Sequence, residues 1–200
     1  MGTRNLTLIY KDGEYKLAKY CQWDGYYEGQ GAIITNFLRQ PGNIEKLRAR
    51  ADDLEFITTK EIRERWNECG ADPNKDAVTF EVSNKFEDKY PELHRNTGGD
   101  ILEMIVNSEG KFYTKDDLDF AADSLFCEYA YVVDFDKNTF EWYEGFNEKP
   151  LKEEDRFYFL NYMAKKLRED YRDDIYYPVK IKGSVPLKAE AMPKWEGSDE

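Results

Sequence analysis

Two stretches of the chain alternate apolar and polar residues on either side of a short turn, the pattern of a β-hairpin. The first spans residues 5–21 and places Asp12-Gly13, a strong hairpin signal, at its turn. The second spans residues 126–144 and turns at Asp136-Lys137-Asn138. Helical structure over either stretch would overturn this prediction.

Helical spacing of apolar residues, together with capping and terminating residues, predicts most of the other elements. Helices are predicted over residues 32–39, 43–51, 59–66 and 101–106, from about Thr114 through Ala122, and over 153–169. Asn43 is the expected cap of the second helix, and Asp100 or Thr97 that of the fourth. Residues 77–82 have the composition of a strand, and residues 176–182, which contain Pro178, that of an edge strand.

These elements predict the α+β class, with a single domain over residues 1–182. Its sheet should be mainly antiparallel, built from the two β-hairpins, with helices packed against it. A chain of 200 residues is long enough to bury such a core. Residues 183–200 are rich in proline, glycine and charge, and they are predicted to form an extended or flexible C-terminal tail.

Composition narrows the classes of partner. The net charge of −12 disfavours binding to nucleic acid or to an anionic membrane, although a small basic pocket for an anion remains compatible with it. Aromatic residues form 16% of the chain, including 15 tyrosines. Surplus tyrosines often contact ligands or partner chains, so a small-molecule ligand and a homo-oligomer are both reasonable expectations.

The number and spacing of the cysteine and histidine residues predict neither a cofactor nor a metal site. The three cysteines are far apart and form no Cys-x-x-Cys pair, which fits a reducing cytoplasm. A zinc site would have to combine the single histidine, His94, with Cys21 and Cys127 from distant segments. No signal sequence and no apolar run of membrane-spanning length is evident, so a soluble protein is expected.

The densest group of ligand-type side chains lies in a glycine-rich stretch, residues 22–31, which reads Gln-Trp-Asp-Gly-Tyr-Tyr-Glu-Gly-Gln-Gly. Its glycines allow positive φ angles or close backbone approach. Trp23 and Tyr26 could stack on a flat group of a ligand, such as a base. Gln22, Asp24 and Gln30 could then form hydrogen bonds with the polar edges of that group. The alternative is a turn in which Trp23 fills the core.

Basic residues elsewhere could meet a phosphate on the same ligand, and a histidine could contact it. The predicted ligand-binding residues are Arg4, Gln22, Trp23, Asp24, Tyr26, Gln30, His94 and Arg95. No residue is assigned a catalytic role.

Several short segments carry a resemblance to a known group of proteins. They are Met1-Gly2-Thr3-Arg4-Asn5-Leu6, residues 12–15, Gln22-Trp23-Asp24-Gly25-Tyr26, residues 29–31, residues 99–102 and residues 127–134. Over residues 1 to about 146 the chain resembles an uncharacterised bacteriophage and prophage protein family. It departs from the family at Tyr27, where proline is expected. The resemblance implies a phage protein acting in the cytoplasm of the infected bacterial host, without an established activity.

A phage-encoded binder of small molecules suggests a counter-defence sponge, which sequesters a nucleotide-derived immune signal without cleaving it. Binding is favoured over catalysis because rings and amides dominate the glycine-rich stretch, while no complete set of nucleophile, base and oxyanion donor can be assembled.

Two other classes of function stay open. A hydrolase with a fold like that of N-terminal-nucleophile enzymes could use Cys21 with His94, or Asp24 with Glu28 or Asp100, but Gly2 and Thr3 offer no N-terminal nucleophile. An acidic inhibitor of a host defence protein could imitate DNA phosphates. Its acidic clusters would be Asp52-Asp53, Asp116-Asp117 and Glu153-Glu154-Asp155.

Overall fold

The computed structural model describes residues 2–75, 77–171 and 176–195, apart from the side chains of residues 168–171. The strands are β1 (Asn5–Lys11), β2 (Glu14–Cys21), β3 (Leu54–Phe56), β4 (Phe112–Thr114), β5 (Tyr129–Asp134), β6 (Thr139–Glu144) and β7 (Lys180–Pro186). The α-helices are α1 (Ala32–Arg39), α2 (Asn43–Arg50), α3 (Thr59–Glu68), α4 (Phe80–Lys89), α5 (Ile101–Asn107) and α6 (Asn161–Tyr171). None of the helices in these ranges has the length and apolar character needed to cross a lipid bilayer.

One five-stranded sheet organises the domain, in the order β2-β1-β5-β6-β7. The predicted hairpins are confirmed as the antiparallel pairs β1–β2 and β5–β6. They join side by side through β1 and β5, which run parallel, and β7 pairs antiparallel with β6 at the edge. The strands β3 and β4 form a separate short parallel pair. The predicted α+β class with a mainly antiparallel sheet is therefore confirmed.

The two hairpin turns bond to each other. Asp12 and Gly13 both have positive φ, 55° and 80°, the geometry that Asp-Gly favours in a two-residue hairpin turn. Their N–H groups donate to the Asp136 carboxylate, each at 2.8 Å. The turn residues thus also fix the relative position of the two hairpins.

Apolar side chains bury both faces of the sheet. On one face, Ile9 and Val133 pack with residues of α1, α2 and α5. On the other, Leu8 and Val132 pack with a 3₁₀ turn over Leu118–Ala122 and with Phe157 and Leu160, which precede α6. A domain with helical segments on both faces of its sheet leaves the ends of the strands and the connecting loops for binding.

A third, smaller cluster lies beside the sheet, where α3 packs on α4. The rings of Trp66 and Phe86 stack at 3.7 Å between centroids, only 8° from parallel. Ile57, Cys69 and Leu93 complete the buried part of this cluster. It is small enough that the ends of its helices contribute noticeably to its stability.

Thr58 caps α3 in a capping box. Its hydroxyl accepts from the Glu61 N–H at 3.2 Å, and the Glu61 carboxylate accepts from the Thr58 N–H at 2.9 Å. We expect Thr58→Ala to lower the free energy of unfolding by about 1 kcal/mol. Urea titration measures this, and Lys60→Ala, at an exposed position of the same helix, should stay within about 0.5 kcal/mol of the unsubstituted protein. Equal losses in the two variants would contradict the capping role.

Several predicted elements were wrong. Residues 77–82 do not form a strand: the Thr79 hydroxyl accepts from the Val82 N–H and caps α4 instead. Thr114 ends β4, and it is the Asp116 carboxylate that accepts from the Leu118 N–H to begin the 3₁₀ turn. The helix predicted from residue 153 begins at Asn161, because turns occupy the residues before it.

Two predicted helix caps were also wrong. Gly42, with positive φ, precedes α2, and the Asn43 amide instead donates to the Phe37 carbonyl at 3.0 Å. Neither Asp100 nor Thr97 caps α5 with its side chain. The Thr97 hydroxyl donates to backbone carbonyls of the preceding loop, including that of His94 at 3.1 Å.

The predicted edge strand begins later than expected. Residues 177–179 bond to loops: the Tyr177 N–H donates to the Asn147 carbonyl and the Val179 N–H to the Ala121 carbonyl. β7 then continues through Pro186. The segment predicted as a tail therefore starts inside the sheet, and Trp195 packs against Tyr27 with ring centroids 4.8 Å apart. Residues 196–200 of the predicted tail lie outside the described residues.

Candidate functional site

The glycine-rich stretch follows β2 and folds into a tight, π-helical turn over Tyr27–Gly31. Asp24, rather than a glycine, takes the left-handed conformation there, with φ of 55°. The Gln30 N–H donates to the Asp24 carbonyl at 2.7 Å. A Cβ atom on Gly29 would lie 2.2 Å from that same carbonyl, so close approach is what this glycine provides.

Gln30 is buried and acts within the fold. Its Oε1 accepts from the Gly99 N–H at 2.6 Å and so ties the glycine-rich stretch to the loop before α5. A ligand could reach this side chain only if the two loops separated.

Gln22 and Trp23 contact the same loop from its other end. The Gln22 N–H donates to the Arg95 carbonyl at 3.0 Å, and the Trp23 indole N–H donates to the Asn96 side chain at 3.0 Å. The structure therefore brings Gln22 and Trp23 together with the segment of His94 and Arg95, although these residues lie about 70 positions apart in the chain.

Trp23 does not fill the core. It is 45% exposed and Tyr26 is 40% exposed, and Asp24 between them also faces solvent. The Tyr26 hydroxyl donates to the Asp24 carboxylate at 3.4 Å. These three predicted residues form an exposed surface of rings and one carboxylate.

Arg4 is held at the N-terminal end of β1. Its guanidinium lies 4.5 Å above the Phe126 ring, and its Nε is buried without a hydrogen bond among the described residues. Burial raises the pKa of the Tyr20 hydroxyl, and the positive charges of Arg4 and Arg95 oppose that rise. Arg4 and Arg95 are therefore close enough to act on one phenol.

His94 and Arg95 line a cavity of about 610 Å³ between α3, α4 and the loop that follows α4. We call it the α3–α4 cavity. Trp66 and Phe86 form its aromatic wall, and Lys115 adds a second cation to the lining. Its volume falls in the range of about 300–1,000 Å³ that small-molecule sites occupy.

The cavity has an apolar, exposed rim. Phe80 is 82% exposed and Val78 is 43% exposed, and both line the opening. A large apolar side chain that is exposed beside a concave surface often marks a binding site. The sequence prediction missed Trp66, Phe86, Phe80 and Lys115: Trp66 was predicted only as the end of a helix and Phe80 as part of a strand, and none of the four was given a binding role.

Electrostatics at the cavity favour an anion. Among the described residues its lining contains no carboxylate, and within that part of the chain the Arg95 guanidinium forms no ion pair. Lys115 forms an ion pair with the Asp117 carboxylate at 2.8 Å. Burial lowers the pKa of His94 and outweighs the opposing Glu87 carboxylate, whose Oε1 lies 3.2 Å from Nδ1, so the folded protein favours the neutral imidazole.

Among the described residues, the side chains proposed for catalysis form no hydrogen bond or ion pair with one another. The Cys21 thiol is buried and donates to the carbonyls of Trp23 and Asn96, and burial raises its pKa, so the reactive thiolate is disfavoured. Asp100 lines a different cavity, with Asn36 and Glu103. In the described ranges, no group of three or more histidine, cysteine, aspartate or glutamate side chains is arranged to hold a metal ion.

Lys19 is buried next to the loop that carries His94 and donates to the His94 carbonyl at 2.8 Å. Burial lowers the pKa of Lys19 from 10.5 to about 8, against the opposing charge of Asp117. At pH values between about 8 and 10.5, Lys19 is protonated in the unfolded chain and largely deprotonated in the folded chain. Stability therefore gains a positive slope with pH, at most about 1.4 kcal/mol per pH unit.

We expect Lys19→Met to lack that slope between about pH 8 and 9.5. Denaturant unfolding at several pH values measures it. Cysteines with raised pKa values give an opposite slope in both proteins, so the readout is the difference between the unsubstituted protein and the variant. Parallel stability curves would show that Lys19 does not titrate in this window.

Comparison of the chain with protein-family models, with curated proteins and with solved structures finds no match. The arrangement of residues at the α3–α4 cavity is therefore the basis for a functional conclusion.

Proposed function

We propose that the protein binds a small, anionic, ring-containing molecule, derived from a nucleotide, in the α3–α4 cavity and holds it without cleavage. One observation carries the proposal: the same cavity is lined by an aromatic wall and by Arg95, which forms no ion pair with any other described residue. In a chain of net charge −12, a cavity without described carboxylates concentrates positive potential at one place.

The two halves of such a ligand match the two halves of the cavity. A flat ring would lie against Trp66 beneath the exposed rim residue Phe80, and ring stacking adds to the gain from apolar burial. A phosphate would meet Arg95 and Lys115 in charge-assisted hydrogen bonds. The neutral imidazole of His94 would offer a further polar contact.

The glycine-rich stretch supports this site from behind. Its residues Gln22 and Trp23 hold the backbone of Arg95 and the side chain of Asn96, and Gln30 anchors the loop at Gly99. Three of the residues predicted to contact a ligand thus bond the loop that carries Arg95. The surface of Trp23, Asp24 and Tyr26 is the competing location for the ligand.

Sequestration is the role that fits such a site best. A sponge needs nanomolar affinity, or about 12 kcal/mol of binding free energy, which ring burial and ionic contacts together can supply. The disfavoured Cys21 thiolate supports binding over hydrolysis. With the resemblance to phage proteins, this leads us to propose a counter-defence sponge for a nucleotide-derived immune signal in the infected host.

Mass spectrometry of molecules released by heat tests this proposal. The protein is purified from phage-infected, defence-active cells, heated, and the supernatant is analysed, with Arg95→Ala purified in parallel. We expect an intact nucleotide-derived ion from the unsubstituted protein and a strongly reduced amount from the variant. A cleaved ligand would indicate an enzyme, and equal release from both proteins would exclude the cavity.

A further inference from the structure

A second cavity adjoins the first along α3. It has a volume of about 440 Å³, and we call it the α3 side cavity. It shares three wall residues with the α3–α4 cavity: Ile62, Trp66 and Val78. Because the same side chains bound both spaces, the two cavities are neighbours separated by one aromatic and two aliphatic groups.

Helical spacing explains this arrangement. Thr59, Ile62, Arg63 and Trp66 recur at three- and four-residue intervals, which places them along one side of α3. Trp66 is the shared residue with a flat ring, and Val78 lies at an exposed rim. Trp66 and Val78 therefore border both cavities along this side of the helix.

The two cavities carry cations at separate places. Arg95 and Lys115 line the α3–α4 cavity, while Arg63, Lys75 and the Asp72 carboxylate line the α3 side cavity. Lys75 pairs with Asp72 at 3.5 Å, both exposed. Arg63, like Arg95, forms no ion pair within the described part of the chain. Each cavity therefore offers one arginine to an anionic group.

We propose that the ligand is a linear dinucleotide, whose two phosphates meet Arg95 and Arg63 while its bases pack against the wall that the cavities share. The inference rests on the proposed function, because it extends the same site. Each cavity alone has the volume of a small-molecule site, so the pair has room for two nucleotide units. An arginine that contacts a phosphate contributes about 1.5–3 kcal/mol, or roughly 10–100-fold in affinity.

Isothermal titration calorimetry tests the inference with four 5′-mononucleotides and the four matching 5′-phosphorylated homodinucleotides. A nucleoside 3′,5′-bisphosphate controls for charge without added length. We expect the best dinucleotide to bind at least about tenfold tighter than its mononucleotide and than the bisphosphate. Arg63→Ala should remove that advantage and leave mononucleotide affinity unchanged, and Lys60→Ala on the same helix is the matched control.

The outcomes separate the two proposals. Mononucleotide binding without a gain for any dinucleotide would overturn the inference and leave the proposed function standing. So would an Arg63→Ala variant that keeps the full dinucleotide advantage. Absence of binding by every nucleotide probe would overturn both. An advantage that is lost in Arg63→Ala and kept in Lys60→Ala supports the dinucleotide.

Discussion

Replacing Arg95 with alanine should weaken ligand binding by about 10–100-fold, the largest effect expected of any single change at the cavity. The guanidinium lines the cavity and has no ion pair among the described residues, so it is available to bind the phosphate of the proposed ligand. Calorimetry with the tightest-binding nucleotide measures the loss. The fold should be unaffected, because the Arg95 backbone carbonyl, which accepts from Gln22, is unchanged.

Tyr26→Ala is the matched control for Arg95→Ala. Tyr26 is also exposed and also belongs to the predicted ligand-binding set, but its hydroxyl contacts only the nearby Asp24 side chain. We expect its affinity to stay within about threefold of that of the unsubstituted protein. If Trp23→Ala, Asp24→Ala or Tyr26→Ala abolished binding while Arg95→Ala retained it, the ligand would lie on the surface of the glycine-rich stretch.

Replacing Arg156 with alanine should lower the free energy of unfolding by about 3–5 kcal/mol, because it leaves two carboxylates buried and unpaired. Arg156 bonds Glu141 at 2.8 Å and also bonds Asp134, and all three side chains are buried. Burial raises the pKa of Glu141, but hydrogen bonds from Arg156 and Tyr143 outweigh it and hold the pKa below its ordinary value. Denaturant unfolding at pH 7 measures the loss.

The pH dependence of this variant identifies the cause of its instability. Without Arg156, burial is less strongly opposed at Glu141 and should raise the pKa of its carboxyl group in the folded state above that in the unfolded state. The folded chain then binds more protons, so the deficit of the variant should shrink as the pH falls from about 7 to 5. A deficit that stays constant with pH would indicate lost packing instead. Arg48→Ala, which removes contacts to Phe135 and Asn138 at the rim of the same hairpin, is the control.

Local sequence signals predicted the sheet well. Asp12-Gly13 and the turn at residues 136–138 fix hairpins through their own backbone geometry, so no distant contact is needed to form them. The parallel junction of β1 and β5 could not be predicted in this way. It depends on pairing between strands more than a hundred residues apart and on the Asp136 carboxylate that bonds the first turn.

The helix predicted from residue 153 begins too early for the same reason, because contacts with other parts of the chain determine the structure of residues 153–160. Residues 153–160 have helical spacing, but the Asp155 carboxylate accepts from the Lys152 N–H and closes a turn. Arg156 is bound to the buried carboxylates of β5 and β6 rather than to a helix neighbour. Asp134 is fully buried, and its carboxylate bonds this arginine.

The candidate site was only partly accessible to sequence reasoning. Its loop residues His94 and Arg95 were identified from their chemistry, and Gln22 and Trp23 do contact their segment. The aromatic wall was not identified, because Trp66 and Phe86 lie on two different helices and no local sequence pattern predicts that their rings stack. The short β-prone run at residues 77–82 further concealed the start of α4, where Phe80 forms the rim.

A crystal structure of the protein with its tightest-binding nucleotide tests the central claim most directly. We expect the ring of the ligand against Trp66 and a phosphate within hydrogen-bonding distance of Arg95, with every bond of the ligand intact. A ligand bound on Trp23 and Tyr26, or a cleaved ligand in the α3–α4 cavity, would contradict this account.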